Sequence, residues 1–478
     1  MSEQITITEN TSENGFAALG LAPELLAAVA DLGFTQPTNV QQQCIGLAMQ
    51  GEGEGAAAFN DLMVSSQTGS GKTAAFLLPV LHTLIAQKAV QAPAEKSGPR
   101  RNPMNPRHFK AATPGALILC PTRELAQQVA HDAIDLVKHT RGLRIANVVG
   151  GMPYQMQIQR LQNADLVVAT PGRLLDLQRS MQIKLDQVQF LVVDEADRML
   201  DLGFADDLAE VHQLTAQRHQ TMMFSATFAP RIQQLATRVM RNPQRVQVDS
   251  PQEKHANIKQ VLFWADNAQH KRALLDHWLR DTAIDQAIVF ASTKVECDGL
   301  ANDLQQSGFA AVSLHGDLPQ GLRNRRLMAL RSGQVQFLVA TDVAARGIDV
   351  PTITHVFNFG LPMKSEDYTH RIGRTGRAGR DGLAVTFAEH RERRKIGDIE
   401  AYSRQRFHSE TIPGLEPKAR PAPAPRRDFG GKGRPGGGGG FRAGSGERSN
   451  GYGKHSGFGA KSFERREGGH SRGARPAR

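Results

Sequence analysis

Short apolar, β-branched runs recur along the chain, and each stops at a cluster of small or polar residues before a helical stretch. Runs that are apolar on both faces and alternate with helices indicate parallel strands buried between helical layers. Nine such runs form two series. The first series reads DLMVSSQTGSGKT, ALILCPTRELAQQ, ADLVVATPGRLL, FLVVDEADRML and TMMFSAT, and the second reads AIVFASTK, AAVSLHGD, QFLVATDVAARGID and HVFNFGLP. The pattern predicts an α/β chain with two such sheets, separated by the polar stretch DSPQEKH at 249–255.

The polar clusters lie where ligands bind in this kind of fold. In open α/β sheets, ligands sit beyond the carboxyl ends of the strands, and every cluster follows a predicted strand. An ordinary turn that ends a strand explains any single cluster equally well. Nine of them in succession favour binding sites at the edges of both sheets.

The positive charge is concentrated in the C-terminal segment. Residues 416–478 contain 15 Lys and Arg against 5 Asp and Glu, whereas residues 1–415 contain 43 against 42. The segment also holds 17 of the 46 glycines, and it cannot bury enough apolar area to offset its ordering entropy, so we expect disorder. Its aromatic residues alternate with Arg and Gly, which suits base stacking alongside phosphate attraction. They are Phe429, Phe441, Tyr452, Phe458 and Phe463.

The cysteines and the N-terminal residues indicate the cellular compartment in which the protein works. Cys44, Cys120 and Cys297 are far apart and match no metal-site spacing, which predicts three reduced thiols. The first ten residues, MSEQITITEN, lack the basic and apolar regions of a secretory signal. No apolar run approaches about 18 residues. We therefore expect a soluble cytoplasmic protein with no membrane partner.

The segment SQTGSGKT, at 66–73, has the context of a phosphate-binding loop, because it follows a predicted strand and precedes a predicted helix. Its glycines allow backbone N–H groups to cradle phosphate oxygens at a helix N-terminus. The spacing places Lys72 near the β- and γ-phosphates and the Thr73 hydroxyl on Mg²⁺. The pattern usually begins with glycine, and the small Ser66 should still fit. The predicted loop comprises Ser66, Gln67, Thr68, Gly69, Ser70, Gly71, Lys72 and Thr73.

Two further motifs suit phosphoryl chemistry. Asp194 and Glu195 directly follow the apolar strand FLVV. A carboxylate there can reach Mg²⁺ through water and its neighbour can orient the attacking water, so we assign Asp194 to the metal and Glu195 to the water. Capping of a helix N-terminus is the alternative. The octet HRIGRTGR, at 370–377, supplies guanidinium groups that can stabilise a transferring phosphoryl group, although taken alone it also fits a solvated basic turn.

Taken together, about ten motifs over roughly residues 14–405 resemble those of the DEAD-box RNA helicases, in the family's order. The run GFTQPTNVQ, at 33–41, is similar to the family's Q motif, and Phe16 stands 17 residues before Gly33, where the family has an isolated aromatic. The resemblance implies that Gln41 hydrogen-bonds the adenine edge, with Phe16, Phe34 and Pro37 in support. It also implies ATP and Mg²⁺ as cofactors.

The resemblance further implies RNA contacts at strand ends in both halves. Hydroxyls, backbone amides and guanidiniums there suit phosphate and 2′-OH groups and read base edges poorly. The implied RNA-binding residues are Pro121, Thr122, Arg123, Gly151, Thr170, Pro171, Gly172 and Arg173 in the first half and Gly316, Gln320, Arg323, Thr341 and Asp342 in the second. Ser225 and Thr227 match the family's coupling motif, Gly347 and Asp349 the motif that contacts ribose and γ-phosphate, and Arg374 and Arg377 its arginine fingers.

The fold implied by the resemblance is two tandem RecA-like domains, each a mostly parallel sheet between helices, with a disordered C-terminal tail. The implied activity is ATP-dependent unwinding of short RNA duplexes, with little sequence specificity, and hydrolysis recycles the enzyme. The tail and compact core look most like the bacterial RhlE-type subgroup. Ribosomal precursors and the RNA-decay machinery are expected partners. The predicted division is a flexible N-terminus at 1–13, the Q motif at 14–42, the first domain at 43–248, a linker at 249–256, the second domain at 257–408 and the tail at 409–478.

Some features remain open in the sequence. A DNA helicase on the same architecture is one alternative, and an ATP-gated RNA clamp or tail-driven annealing protein is another. Gly360 stands where the family often has Asp, and Thr369 replaces a common Val. Two loops, at 51–58 and 88–114, are insertions relative to a minimal core, and we expect the second to be a mobile, solvated surface loop rather than an RNA contact.

Overall fold

The first half of the chain contains a seven-stranded parallel sheet. In this computed structural model, the described residues are 15–49, 59–65, 70–90, 110–226, 228–247, 257–345, 348, 350, 352–376 and 380–418. The strands run in the order β3-β4-β2-β5-β6-β1-β7, with every pairing parallel. They are β1 (Leu62–Ser65), β2 (Ala116–Leu119), β3 (Ile145–Val148), β4 (Leu166–Ala169), β5 (Phe190–Val193), β6 (Gln220–Ser225) and β7 (Gln244–Gln247).

The second half repeats this plan. Its strands run in the order β10-β11-β9-β12-β13-β8-β14, again all parallel, which is the order of the first sheet with seven added to each number. The strands are β8 (Ile258–Ala265), β9 (Gln286–Phe290), β10 (Ala311–Leu314), β11 (Phe337–Ala340), β12 (Ile353–Asn358), β13 (Gly382–Glu389) and β14 (His408–Glu410). The predicted α/β class with two tandem, RecA-like parallel sheets is confirmed.

Helices cover both faces of each sheet, as the two-sided apolar strands require. In β1, Leu62 and Val64 belong to the core on one face and Met63 to the core on the other. The helices of the first half are α1 (Pro23–Asp31), α2 (Asn39–Met49), α3 (Lys72–Val90), α4 (Arg123–Leu136), α5 (Tyr154–Leu161), α6 (Pro171–Arg179), α7 (Ala196–Asp201), α8 (Ala205–Leu214) and α9 (Pro230–Val239). Those of the second half are α10 (Ala268–Trp278), α11 (Lys294–Gln306), α12 (Gln320–Arg331), α13 (Asp342–Ala345), α14 (Ser365–Ile372) and α15 (Arg393–Ser403).

Packed chain continues past residue 408, where the sequence predicts the tail to begin. β14 pairs with β8 at the place that β7 takes beside β1 in the first sheet. Ile412 is buried in the core of the second half, and the Lys418 backbone N–H donates to Asp266. The sequence prediction missed this short packed stretch, because the basic residues that follow it dominate the local composition. The N-terminus at 1–13, the linker at 249–256 and the tail beyond 418 lie outside the described residues.

The ends of the predicted 88–114 loop are also held by the fold. Lys88 lies within α3, and its Nζ is 2.7 Å from Asp165 Oδ2. At the other end, Ala112 is buried and forms a β-bridge with Ile183. The prediction of a loop was wrong for these flanks, because the sequence did not reveal their long-range partners. Residues 91–109, like the insertion at 51–58, lie outside the described residues.

Helix α3 has an unusually apolar composition. Among the described residues, α3 alone is long and apolar enough to cross a membrane by length and composition. Its side chains, including Phe76 and Leu77, are buried in the core that contains β1 and α2. Packing inside the first half therefore accounts for the composition of α3.

Candidate active site and nucleic-acid interface

Three neighbouring strands bring the predicted phosphate motifs to one edge of the first sheet. β6 lies between β5 and β1, with Val193 opposite Met223 and Ser65 opposite Ser225. Asp194 follows β5, Ser225 ends β6, and Ser65 directly precedes the predicted phosphate loop. The Ser65 hydroxyl donates to the carbonyl of Ala226, 3.2 Å away, which ties the loop strand to the predicted coupling motif. Ser225 itself is only 1% exposed.

Lys72 and Asp194 are the buried charges of this edge. Lys72 begins α3 and is 9% exposed, and Asp194 is 4% exposed. Burial raises the pKa of Asp194 to about 7, with a further upward contribution from Glu195, and the positive charge of Lys72 opposes the shift. A second cation beside Asp194 would stabilise its ionised form in the same direction as Lys72. This edge of the sheet therefore favours the binding of a cation beside Asp194.

Mg²⁺ fits the oxygen donors at this edge. Thr73 supplies a hydroxyl in the first turn of α3, and Asp194 supplies a buried carboxylate. Within the described ranges, no group of three or more His, Cys, Asp or Glu side chains is placed to hold a metal ion. Such a sparse donor set matches Mg²⁺, which keeps several waters and is held by one or two protein ligands together with substrate phosphates.

Glu195 has an unusual backbone conformation. Its φ of 48° and ψ of 53° lie in the left-handed region, although it is not glycine, at the N-cap of α7. Its N–H donates to Asp194 Oδ1 at 2.9 Å. Strained conformations of this kind persist where the surroundings enforce them, frequently at functional sites. The conformation of Glu195 therefore marks the acidic motif as a candidate functional turn.

The Q-motif side chains hold the phosphate loop in this structure. Gln41 accepts from the Thr38 backbone N–H at 2.9 Å and donates to the Gly71 carbonyl at 3.1 Å. The Thr38 hydroxyl donates to the Ser70 carbonyl at 2.8 Å. Gln41 is 5% exposed, and these two bonds leave its amide one further donor hydrogen and one further acceptor site. The sequence implied the adenine role and missed the grip on the loop.

The aromatic residues assigned to adenine occupy different environments. Phe34 is 42% exposed, and Pro37 is half-buried beside it in the chain. Phe16 is fully buried in the core of the first half, with Leu25 and Val40 in the same cluster. Phe34 is therefore accessible from solvent, whereas Phe16 is enclosed in the core, and their roles at adenine stay predictions.

Arginines of the 370–377 octet are bound within the second half. Arg374 is 4% exposed and donates to the carbonyls of Ile348, at 2.9 Å, and His370, at 3.1 Å. Arg371, which the sequence did not assign, forms a two-point ion pair with Asp342 and lies over the Phe290 ring. The Asp342 carboxylate is therefore committed to Arg371. The predicted contact of Asp342 with RNA stays a prediction.

A cavity of about 440 Å³ opens at the carboxyl ends of β2, β3 and β4, facing α12 and α13. It collects predicted RNA-binding residues from three motifs of the first half and one of the second. These are Pro121, Thr122, Arg123, Gly151, Thr170, Gly172, Arg173 and Arg323. Gly316, Gln320, Thr341, Asp342 and Pro171 do not line it, and Pro171 is buried at the start of α6. The cavity lining also includes Glu124 and Gly150, which belong to the same sequence motifs, and Asp176, Leu202, Phe204 and Val343, which the sequence did not indicate.

The glycine pair after β3 makes room for Arg123. A Cβ on Gly151 would lie 2.7 Å from Arg123 Nη1, and one on Gly150 would lie 3.2 Å from Arg123 Nε. Gly151 also has a φ of +76°, which other residues rarely adopt. The pair therefore lets a guanidinium lie against the backbone at the cavity wall.

Polar side chains join the two halves beside this cavity. Arg323 Nη2 and Gln320 Nε2 each lie 2.9 Å from Glu124 Oε1, and Arg123 Nη1 donates to Gln320 Oε1 at 3.2 Å. Glu124, Gln320 and Arg323 are all less than 9% exposed. Gln320 thus serves as a contact between the halves rather than as a cavity residue. No pattern in the sequence indicated this contact.

Removal of the Gln320 amide is expected to weaken association of the halves. Gln320→Ala deletes one bond to a buried carboxylate and one from a guanidinium, so RNA affinity in the presence of an ATP analogue should fall about tenfold. Fluorescence anisotropy with a labelled single strand measures it. Gln305→Ala is the matched control, because Gln305 bonds the Ala311 carbonyl within the second half. Equal affinities of the two variants would contradict the assignment.

The two departures from the family pattern have local explanations. A Cβ on Gly360 would collide with Ser292 Oγ, so Ser292 fills the space of a side chain there, and the Gly360 carbonyl accepts from Arg371. The Thr369 hydroxyl donates to the Glu366 carbonyl at 2.8 Å, within α14. Both positions thereby support the helix that carries Arg371.

Several assigned residues lie outside the described part of the chain. They are Ser66, Gln67, Thr68, Gly69, Thr227, Gly347, Asp349 and Arg377. Their roles stay predictions, and the flanking residues Ser65, Ser70, Ala226, Ile348 and Thr375 are described.

Comparison with known proteins identifies the family. The family model for the DEAD/DEAH box helicase matches residues 38–235, and that for the helicase conserved C-terminal domain matches residues 270–379. The ATP-dependent RNA helicase SrmB of Escherichia coli is 40% identical over 407 residues, or 85% of each chain. The ATP-dependent RNA helicase RhlB of Pseudomonas syringae pv. tomato is 38% identical over 402 residues, which cover 83% of this chain and 95% of that protein.

Solved structures agree with this result. S. cerevisiae Dbp5 bound to RNA and ADP BeF3 matches with a TM-score of 0.71 and 31% identity, over 84% of this chain and 95% of that one. Mss116p bound to ssRNA and AMP-PNP matches with a TM-score of 0.67 and 26% identity, over 84% and 79%. The chain belongs to the DEAD-box RNA helicase family.

Proposed function

We propose that this chain is an ATP-dependent RNA helicase that binds RNA largely without sequence specificity, separates short duplexes locally and uses hydrolysis to release them. The observation that carries the proposal is the placement of two sites on one sheet edge. The acidic motif and phosphate loop follow β5 and β1, and the cavity follows β2, β3 and β4, with β2 next to β5. The second half contacts the first beside that cavity.

Different residues of the chain bind the ligands and promote hydrolysis. Gln41 and Thr38 hold the phosphate loop, and Lys72 provides positive charge for the β- and γ-phosphates. Glu195 orients the attacking water, and Arg374 with Arg377 contributes positive charge from the second half. Arg123, Arg173 and Arg323 bind the RNA backbone at the cavity. A strand bent to follow both halves cannot keep its partner paired, so a short duplex opens.

Mg²⁺ would be held by Thr73 and Asp194 when it arrives with the nucleotide. It supplies charge neutralisation at the β- and γ-phosphate oxygens. The burial of Asp194 beside Lys72 limits water at this carboxylate and keeps its geometry fixed.

Strand separation tests the proposal and distinguishes a DNA helicase. Duplexes of about ten base pairs with a single-stranded overhang are offered with all-RNA or all-DNA loading strands, and release is followed by fluorescence. We expect ATP-dependent release from the RNA loading strand only, because 2′-OH contacts suit RNA. Equal rates on the DNA loading strand would support the DNA alternative. Faster annealing without ATP-dependent release would support the annealing alternative.

We also propose that the basic segment tethers RNA without sequence preference. Truncation after Lys418 preserves the packing of Ile412 and the bond to Asp266, so the melting temperature should not change. Loss of the positive charges beyond it should weaken RNA binding and flatten its dependence on salt. Unchanged affinity and an unchanged salt slope would overturn the tether. RNA titration at several salt concentrations measures both the affinity and the salt slope.

We further propose a subgroup, cellular partners and a compartment for this chain. The Gly/Arg segment and compact core favour the RhlE-type subgroup, whereas similar proteins carry the names SrmB and RhlB. Ribosomal precursors and the RNA-decay machinery are the proposed partners, in the cytoplasm. Crosslinking the protein to cellular RNA and sequencing the bound fragments tests the partners directly.

A further inference from the structure

The helix α7 connects the acidic motif to the second half of the chain. It begins directly after Glu195 and ends at Asp201, a distance of about 9 Å for six residues. Its inner face is fixed in the core of the first half, where Ala196 and Met199 are 0% exposed. Because the helix is short and its inner face is packed, the position of one end constrains the position of the other.

The end of α7 takes part in a chain of ion pairs between the halves. Asp201 Oδ1 lies 2.6 Å from Lys364 Nζ of the second half, and Asp201 also pairs with Arg231. Arg231 Nη2 in turn lies 3.3 Å from Glu366 Oε2 of the second half. The Asp201 side chain is 8% exposed, so this network is screened less than an isolated surface pair.

The residues that follow Asp201 reach the RNA cavity. Leu202 and Phe204 line it from the first half, while Arg323 and Val343 line it from the second. The backbone N–H of Phe204 donates to the Met199 carbonyl, which fastens this segment to α7. RNA bound in the cavity would therefore lie against the segment that directly follows α7.

Helix α7 also carries a buried arginine. Arg198, on α7, is 6% exposed, and its Nε and Nη2 have no hydrogen-bond partner among the described residues. Burial lowers the pKa of Arg198, and the carboxylates of Glu195, Asp201 and Asp342 oppose that shift. Asp342 belongs to the second half, so a buried positive charge of α7 faces acids on both sides.

We propose that Asp201 is a positioning residue, which fixes the end of α7 against Lys364 of the second half and so couples closure of the halves to the acidic motif. The inference rests on the proposed function, because it requires RNA and ATP to favour the closed arrangement. The Asp201–Lys364 and Arg231–Glu366 pairs join the two halves, so they stabilise an arrangement in which the halves are together. Their loss should weaken RNA binding when an ATP analogue is present and leave nucleotide-free binding unchanged.

The test uses the full chain with Lys364→Gln and the matched control Lys294→Gln. Lys294 pairs with Asp317 within the second half and is similarly exposed, at 54% against 46%. We expect Lys364→Gln to raise the RNA Kd about three- to fivefold with AMP-PNP and not without nucleotide. The RNA concentration that half-saturates ATP hydrolysis should rise equally, while the rate at saturating RNA stays within twofold. The control should match the unmodified chain in each measurement.

A double-variant cycle tests the contact itself. With AMP-PNP, Asp201→Asn combined with Lys364→Gln should raise the RNA Kd by much less than the product of the single effects. If the two substitutions raise the RNA Kd multiplicatively, or equally with and without nucleotide, the inference is overturned. The proposed function would remain. If AMP-PNP fails to tighten RNA binding by the unmodified chain, the proposed function falls, and this inference falls with it.

Discussion

Replacement of Glu195 by glutamine is expected to lower RNA-stimulated ATP hydrolysis by about 10²- to 10⁴-fold. Glutamine keeps the size of the side chain and removes the carboxylate that orients the attacking water. The N–H of residue 195 still bonds Asp194 Oδ1, and the left-handed turn at the N-cap of α7 is unaffected by the change of side-chain end. Phosphate release measured at saturating RNA and ATP gives the rate directly.

Binding separates this chemical effect from a structural one. Since Lys72, Gln41 and the RNA cavity are intact in Glu195→Gln, its affinities for ATP and RNA should stay within about threefold of the unmodified chain. Glu210→Gln is the control. Glu210 lies on α8, and its Oε2 is 2.6 Å from Arg179 Nη2. Hydrolysis by Glu195→Gln at the unmodified rate would remove this carboxylate from the mechanism.

Gly71→Ala should nearly abolish ATP binding. Gly71 has a φ of +88°, and an added Cβ would lie 2.5 Å from Gln41 Nε2 and 3.1 Å from Thr38 Oγ1. The left-handed backbone alone costs about 1–2 kcal/mol for alanine, and the clash adds to it. A total of about 2 kcal/mol already corresponds to a roughly thirtyfold loss of affinity, and the displaced phosphate loop should increase the loss. Titration with a fluorescent ATP analogue measures it.

A second glycine provides the control for general effects of alanine. Gly299 lies inside α11, and no atom from another element lies within 4 Å of the position that an added Cβ would take. Gly299→Ala should therefore bind ATP normally and be about as stable or slightly more stable, since alanine favours helix. Normal ATP affinity in Gly71→Ala would show that the grip of the Q motif on the loop is not needed for binding.

The sequence was sufficient for the sheet architecture and for the location of the ATP edge. Two-sided apolar strands predict parallel sheets, and parallel strands place their following residues on one edge, so Asp194 and Lys72 could be brought together from the sequence pattern. The motif order added the family. What distinguished strand β14 from the tail was its pairing with β8, a contact over about 145 residues that local composition does not encode.

Contacts between the halves were the least predictable part of the site. Gln320 was assigned to RNA, and in the structure its side chain bonds Glu124 of the first half. Amide groups suit RNA and protein partners equally well, so this contact is visible only in the packed structure. Asp201 and Lys364 carry no motif, and their pairing depends on how two separately folded sheets meet.

Reciprocal binding of ATP and RNA is the most direct measurement of the central claim, which is that both ligands favour one closed arrangement. The RNA Kd is measured with and without AMP-PNP, and the AMP-PNP Kd with and without single-stranded RNA. Thermodynamic linkage requires the two ratios to be equal, and we expect each ligand to tighten the other at least about tenfold. Affinities that do not depend on the other ligand would contradict the account.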